Sequence, residues 1–459
     1  MQPSAQPYPP FDPSASHQQR PRLRPVRGFP ARAQTPEGNT VDMLGVADAT
    51  QISDKVCLML PAVQLVLPLM DGSRDLDGLV QEVGRGLTRA VMEQIVAQLD
   101  DAGLIEGPMF QAMLAKMREE FDKHPTLPPA STANFVDQLV ADGQEQGQLS
   151  KEAGEEEKAA YGVKRLREGL DQFIAAALKD AADPGWNDLP KAIIAPHLDY
   201  GRGWLNYAGI YGRLRVAERP DRVVILGTNH FGLSTGVCAC DKGYETALGV
   251  CEVDAELLEK VKGKLGAENA QKLLANRYDH EREHSVELQI PWVQHVFGVG
   301  ADGKFPKVLG VLVHDPAVNN GESYDGAGLA LDPFVEAMRA AIAELPGRTL
   351  VVASADLSHC GPAFGDQAPL AGDAEPAVSA RNKVFQHDQE LLTHVANSRV
   401  PELIASMAWQ QNPTRWCSTG NLIATLRITE PKDVKLLNYA AAMDPEGMSM
   451  VTSVAGAML

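Results

Sequence analysis

The sequence predicts an α/β protein, a mixed and mostly parallel sheet flanked by helices, preceded by a small α+β module. Three observations predict it. From about residue 186 onward, short apolar runs of strand length alternate with stretches of helical periodicity, the order that covers a largely parallel sheet with helices. Three of those runs each end on side chains suited to a metal. Residues 191–195 stop at Pro196 and deliver His197, residues 222–227 lead to His230, and residues 349–354 lead to Asp356 and His359. Open α/β sheets gather their ligands at the carboxyl ends of strands, so three coincident endings point to one functional edge. Finally, residues 41–108 carry their own apolar periodicity, separated from the later pattern by a charged stretch.

At 459 residues the chain has room for two or three domains. An apolar fraction of 44% and a charged fraction of 22% are those of a soluble globular protein. No run approaches the roughly 18–20 apolar residues of a membrane span, and the polar, proline-rich start has no apolar segment after a basic one, so no secretory signal is expected. The cysteines are Cys57, Cys238, Cys240, Cys251, Cys360 and Cys417. Only Cys238-x-Cys240 are closely spaced, which makes a disulfide framework or zinc ribbon poor readings; Cys238, Cys240 and Cys251 are expected as small buried residues, and the compartment as a reducing cytoplasm. A net charge of −18 argues against binding the phosphate backbone of nucleic acid.

Taken in order, residues 1–40 are rich in Pro, Gln and Ser, with Arg20, Arg22, Arg24, Arg27 and Arg32, and are expected to be a disordered tail. In 41–108, residues 56–70 are apolar, 76–83 form a helix, and Thr88 caps a second helix on which Val91, Ile95 and Leu99 recur. Gly103 ends it and Leu104-Ile105 begin an extended segment, so helix, turn, helix and hairpin follow in the order of a winged helix. The stretches LMDGSRDLDGLVQEV and LTRAVMEQIVAQLDDAGLIEG resemble the winged-helix modules of the PqqD type, and that resemblance implies a site for a peptide. A DNA-reading helix is disfavoured, because Glu93, Asp100 and Asp101 surround the single base Arg89. Residues 109–185 are expected as a charged helical linker, with Leu166, Leu170, Phe173, Ile174, Ala177 and Leu178 on one packing face. Beyond it, strands are expected at 191–195, 222–227, 307–313, 349–354, 434–441 and 449–456, with helices at 254–265, capped by Asp254, and at 332–345.

The chemistry-bearing residues are His197, His230, His284, Glu287, Asp356, His359 and Cys417. Imidazole and thiolate donors suit iron, copper or zinc. His284 and Glu287 are three apart, neighbours on one helical face, which suits an acid/base or orienting pair as well as two residues that satisfy each other.

The stretches APHLDY, ILGTNHFG, EHSVELQIPW, SADLSHCG and RWCSTGNLIATL resemble, in order, the motifs of the Memo family, over roughly residues 186–459. The resemblance implies a fold shared with class III extradiol ring-cleaving dioxygenases, which hold a non-haem iron with two histidines and a carboxylate. It implies His197, His230 and Cys417 as ligands of Fe(II) or Cu, with His284, Glu287, Asp356 and His359 as acid/base or orienting groups in the cleft. Bacterial members include component B of the AmmeMemoRadiSam system, so a radical-SAM protein and an AMMECR-type protein are the partners implied. This sequence departs from the family where Leu198 and Asp199 stand between His197 and Tyr200, which offers Asp199 as a candidate extra oxygen donor, and where Phe231 follows His230. Two readings result: a redox or oxygen-dependent metalloenzyme or enzyme subunit, and a non-catalytic peptide- or protein-binding scaffold with a vestigial metal site. A zinc hydrolase is disfavoured, since a thiolate lowers the electrophilicity of zinc and no HExxH base is present.

Overall fold

The fold is that of a computed structural model that describes residues 9–34, 38–183 and 185–459. Met1–Lys123 make up most of one compact unit, and His124–Asn229 with Leu233–Leu459 form a second.

The first unit begins with the short helix α1 (Ser16–Gln19) and an antiparallel sheet of β1 (Val26–Gln34), β2 (Thr40–Asp48) and β3 (Val56–Met59), in that order. Helices α2 (Leu76–Val83), α3 (Arg89–Asp101) and α4 (Pro108–Lys123) follow. Asp75 caps α2 by accepting from the Gly78 amide, and Thr88 caps α3 by accepting from Val91. Leu76, Leu79, Met92, Val96 and Leu99 then close on Leu44, Val46, Cys57 and Met59 of the sheet.

Two expectations for this region are corrected. The tail expected over 1–40 is ordered through 9–34, including all of β1, whereas 1–8 and 35–37 lie outside the described residues. Its anchor is Arg24, buried, whose Nη1 donates to Asp48 Oδ2 at 3.1 Å and to the Gly103 carbonyl at 2.7 Å while its guanidinium lies over the Phe110 ring. The strands also precede the helices. After α3, Leu23 and Ile105 form only an isolated bridge, because Pro108 starts α4 before a hairpin can form.

The expected linker over 109–185 is divided between the units. The second contains β4 (Thr126–Leu127), α5 (Ser131–Glu145) and α6 (Glu155–Leu178), and α6 buries Leu166, Leu170 and Ile174 as its periodicity predicts. Next come β5 (Ala192–Ala195), α7 (Tyr200–Tyr211), β6 (Arg222–Gly227), β7 (Cys238–Ala239), β8 (Gly243–Thr246), β9 (Gly249–Cys251) and α8 (Ala255–Leu274). They are followed by α9 (His284–Glu287), α10 (Ile290–Phe297), β10 (Lys307–Leu312), α11 (Leu331–Glu344), β11 (Thr349–Ser354) and β12 (Asp356–Cys360). The chain closes with α12 (Glu375–Ala396), α13 (Val400–Gln410), α14 (Thr419–Thr429), β13 (Val434–Met443) and β14 (Met450–Met458).

The main sheet has eight strands in the order β12-β14-β5-β11-β6-β10-β7, with β13 also paired to β14. Its centre is parallel: β11 lies between β5 and β6, and β10 joins β6. Strands β14, β13, β12 and β7 add antiparallel margins. Every residue of β5 and β6 is buried, as for strands covered on both faces. Among the described residues no helix is long and apolar enough to cross a membrane.

Candidate metal centre

Strand β5 is short and fully buried, and Pro196 follows it without an amide proton to extend the ladder. His197 therefore emerges at the carboxyl end, 2% exposed. Its amide donates to Asp356 Oδ1 at 3.0 Å, and its Nδ1 lies 3.2 Å from the Ser354 carbonyl. A carbonyl only accepts, so Nδ1 carries the proton and Nε2 keeps a lone pair. That nitrogen lies 3.2 Å from Cys417 Sγ and 3.6 Å from Asp356 Oδ2.

His284 opens the single turn of α9, with Nδ1 3.3 Å from the buried Glu283 carboxylate. Its ring meets that of His197 edge-on, with centroids 5.5 Å apart. His230 follows the end of β6, and His197, His230 and His284 each offer a ligand atom, all within 4.8 Å of one another. Donors on one ion, with bonds of about 2.0–2.1 Å, sit at most about 4.2 Å apart, so the three ring nitrogens are close to, though not at, the spacing of ligands on one ion.

The family resemblance implies His197, His230 and Cys417 as ligands. The structure brings His197 together with the other two, and it places His284, expected as an acid/base group, among the imidazoles. Asp356 meets His197 at both its amide and its ring, the position of an orienting group. His359 is not one of the three grouped imidazoles; its Nδ1 lies 2.9 Å from the Leu357 carbonyl and 3.1 Å from that of Arg415.

Two site residues are corrected. The Glu287 carboxylate is buried and accepts from the amides of Ala130, Ser131 and Thr132 and from Thr132 Oγ1, at 2.6–3.0 Å. It caps the amino end of α5, which leaves its oxygens committed to structure. Asp199 is exposed; it caps α7 through the Arg202 amide and pairs with the Arg202 guanidinium at 2.5 Å, away from any ligand role.

The residues that sequence reasoning passes over are the uncharged ones that hold the donors. Asn421 Nδ2 donates to the Ser354 carbonyl at 2.6 Å and to Thr228 Oγ1 at 3.0 Å, and Thr228 Oγ1 donates to the Cys417 carbonyl at 2.9 Å. Gln289 Nε2 donates to the Pro196 carbonyl at 2.6 Å and to Ser354 Oγ at 2.9 Å. Gly420 lets α14 approach: a Cβ there would stand 2.1 Å from the His314 carbonyl. All of them lie within the quoted motifs (Thr228, Gln289, Ser354, Gly420, Asn421), the one signal that marked them.

Fold and site together define a mixed α/β protein in which His197 and His230 follow the carboxyl ends of two central strands, joined by His284 from α9 and Cys417 from the turn before α14. The model of the Memo-like protein family matches residues 160–458, and the chain belongs to that family. It is 32% identical over 293 residues to a MEMO1 family protein of Methanopyrus kandleri, covering 61% of this chain and 89% of the relative. A MEMO1 family protein of Pyrococcus horikoshii is 24% identical, over 60% of this chain and 89% of the relative. One from Desulfurococcus amylolyticus is 31% identical over 203 residues, which span 64% of that relative's own length.

Proposed function

We propose that this protein holds one non-haem iron or copper ion and works as a redox or oxygen-dependent enzyme, or as the metal-bearing subunit of one. The observation that carries the proposal is the group of three imidazoles, His197, His230 and His284, with Cys417 Sγ 3.2 Å from His197 Nε2. The donor set fits the group: nitrogens and a thiol suit iron or copper, whereas calcium or magnesium asks for oxygens. His197, His230 and Cys417 would hold the ion, with His284 completing or flanking the set. A bound iron or copper ion supplies Lewis acidity and a one-electron couple.

The protein's own groups do the rest. The Ser354 carbonyl holds the His197 proton on Nδ1, and Glu283 stands beside Nδ1 of His284, so each ring is oriented through its Nδ1. In His359 the proton sits on Nδ1 against two carbonyls, which makes Nε2 its basic nitrogen and suits it to accept a proton from a substrate. Radical-SAM and AMMECR-type proteins as partners, and a cytoplasmic setting, belong to the same proposal and follow from the family.

The test is oxygen uptake by iron- and copper-loaded protein offered a panel of catechols and thiols, beside His197→Ala. Uptake that depends on both substrate and His197 supports the enzyme. Its absence throughout, with binding to a radical-SAM partner unchanged in His197→Ala, overturns it in favour of the scaffold. That second reading has its own support in the first unit, where Met59, Val63, Val66, Leu87 and Ile95 help line a cavity of about 410 Å³.

A further inference from the structure

One carboxylate outside the donor group bonds both to Trp416, next to Cys417, and to Ser358 on the strand that carries Asp356 and His359. Asp388, on α12, is fully buried. Its Oδ1 accepts from Ser358 Oγ at 2.5 Å and Trp416 Nε1 at 2.7 Å, and its Oδ2 from Tyr439 OH and Thr452 Oγ1, each at 2.6 Å. All four donors are neutral, so the carboxylate is satisfied by hydrogen bonds alone, an arrangement that tolerates loss of a donor poorly.

The placement of two of those donors gives the network a use. Ser358 lies on β12 between Asp356 and His359, and Trp416 immediately precedes Cys417. The segment carrying Trp416 runs beside β12: the His359 amide donates to the Thr414 carbonyl at 2.7 Å, and Arg415 Nη1 to the His359 carbonyl at 2.8 Å. It is not a relaxed loop. Gln411, Asn412 and Arg415 have φ of 56°, 47° and 60°, a left-handed conformation that residues with side chains keep only when their surroundings impose it. Asn412 clamps the turn by donating to the Trp416 carbonyl and accepting its amide, at 2.8 and 2.7 Å. That clamp is internal to the turn; the bonds to His359 tie it to β12, and Trp416 Nε1, through Asp388, ties its last residue before Cys417 to α12.

We propose that Asp388 is a positioning residue for the thiol, holding Cys417 against His197 through Trp416 and Ser358. This rests on the metal-centre reading for its purpose, though not for its test.

Three variants separate positioning from stability. Asp388→Asn removes the carboxylate, Trp416→Phe leaves an aromatic ring but removes the indole N–H, and Tyr439→Phe removes a donor to the same carboxylate from β13. One readout is the rate at which iodoacetamide alkylates Cys417 in apoprotein, mapped by mass spectrometry. The other is the thiolate-to-cobalt charge-transfer band of Co(II)-loaded protein. Asp388→Asn and Trp416→Phe are expected to change the alkylation rate several-fold and weaken the band, while Tyr439→Phe leaves both unchanged although it too lowers the Tm. Should Asp388→Asn fail to fold, the comparison of Trp416→Phe with Tyr439→Phe decides alone. An unchanged Cys417 in Trp416→Phe, or an equal shift in Tyr439→Phe, overturns the proposal. Wild-type protein that binds no cobalt, yet shows the alkylation difference, upholds the positioning role and rejects the metal instead.

Discussion

Glu287 shows how one residue type serves two ends. Four donors from 130–132 converge on its carboxylate, so Glu287→Gln is expected to cost about 1–3 kcal/mol of stability in urea unfolding while metal content stays at the wild-type level. Loss of metal at unchanged stability would return Glu287 to the site. From sequence, a glutamate three residues after a histidine reads equally as an acid/base partner or a cap, and only the long-range contact across 155–157 positions decides. His197 was legible because Pro196 ends a buried strand just before it. The cysteines make a second residue-scale test. Burial pushes the Cys57, Cys240 and Cys251 thiols up to about 12 and Cys360 to about 11, and Cys238 is also driven upward, whereas Cys417 is half-buried. Brief alkylation of native protein near pH 8 is expected to label Cys417 alone, since the thiolate is the reactive form; equal labelling of Cys238 or Cys251 would contradict the packing.

Among the elements, β1 was the one most thoroughly hidden in the sequence. It is an edge strand with mostly exposed residues, so it lacks the alternation that marks a half-buried strand, and its arginines and Pro30 gave it the look of a polar tail. Its attachment to the unit lies just before it, in the Arg24–Asp48 pair, both side chains at most 1% exposed. Removing the cation leaves a buried carboxylate uncompensated, so Arg24→Met is expected to destabilise the first unit by about 3–5 kcal/mol, read by hydrogen exchange in β1 and β2. Burial alone would raise the Asp48 carboxyl, but hydrogen bonds from Thr50 and Ser53 and the Arg24 charge outweigh it and hold it below its usual range. A carboxyl depressed in the folded state adds stability that is present above its unfolded value, about pH 4, and lost as pH falls below it. Unfolding between pH 5 and pH 2 is thus expected to weaken the wild type more than Asp48→Asn. Helices α2, α3 and α8 were legible because apolar residues and polar N-caps agree, at Asp75, Thr88 and Asp254.

For the whole molecule, the parallel strands could be read and their neighbours could not. Strands β5, β6, β10 and β11 are continuous apolar runs because helices cover both faces, and that signal is local. The order β5-β11-β6 depends on pairings between residues more than a hundred positions apart, and the short β7, β8 and β9 have too few residues to declare a period. Yet this order is what makes the site, since it sets the carboxyl ends that lead to His197, Asp356 and His230 side by side. Cys417 then reaches His197 across 220 positions, from the turn before α14.

The most direct measurement is elemental analysis of protein purified without oxygen, wild type beside a His197→Ala/Cys417→Ser double variant. About one iron or copper per chain, lost in the variant while its circular dichroism stays native, is the expected result. Wild-type protein that holds no iron or copper, even after anaerobic reconstitution with each, would contradict it.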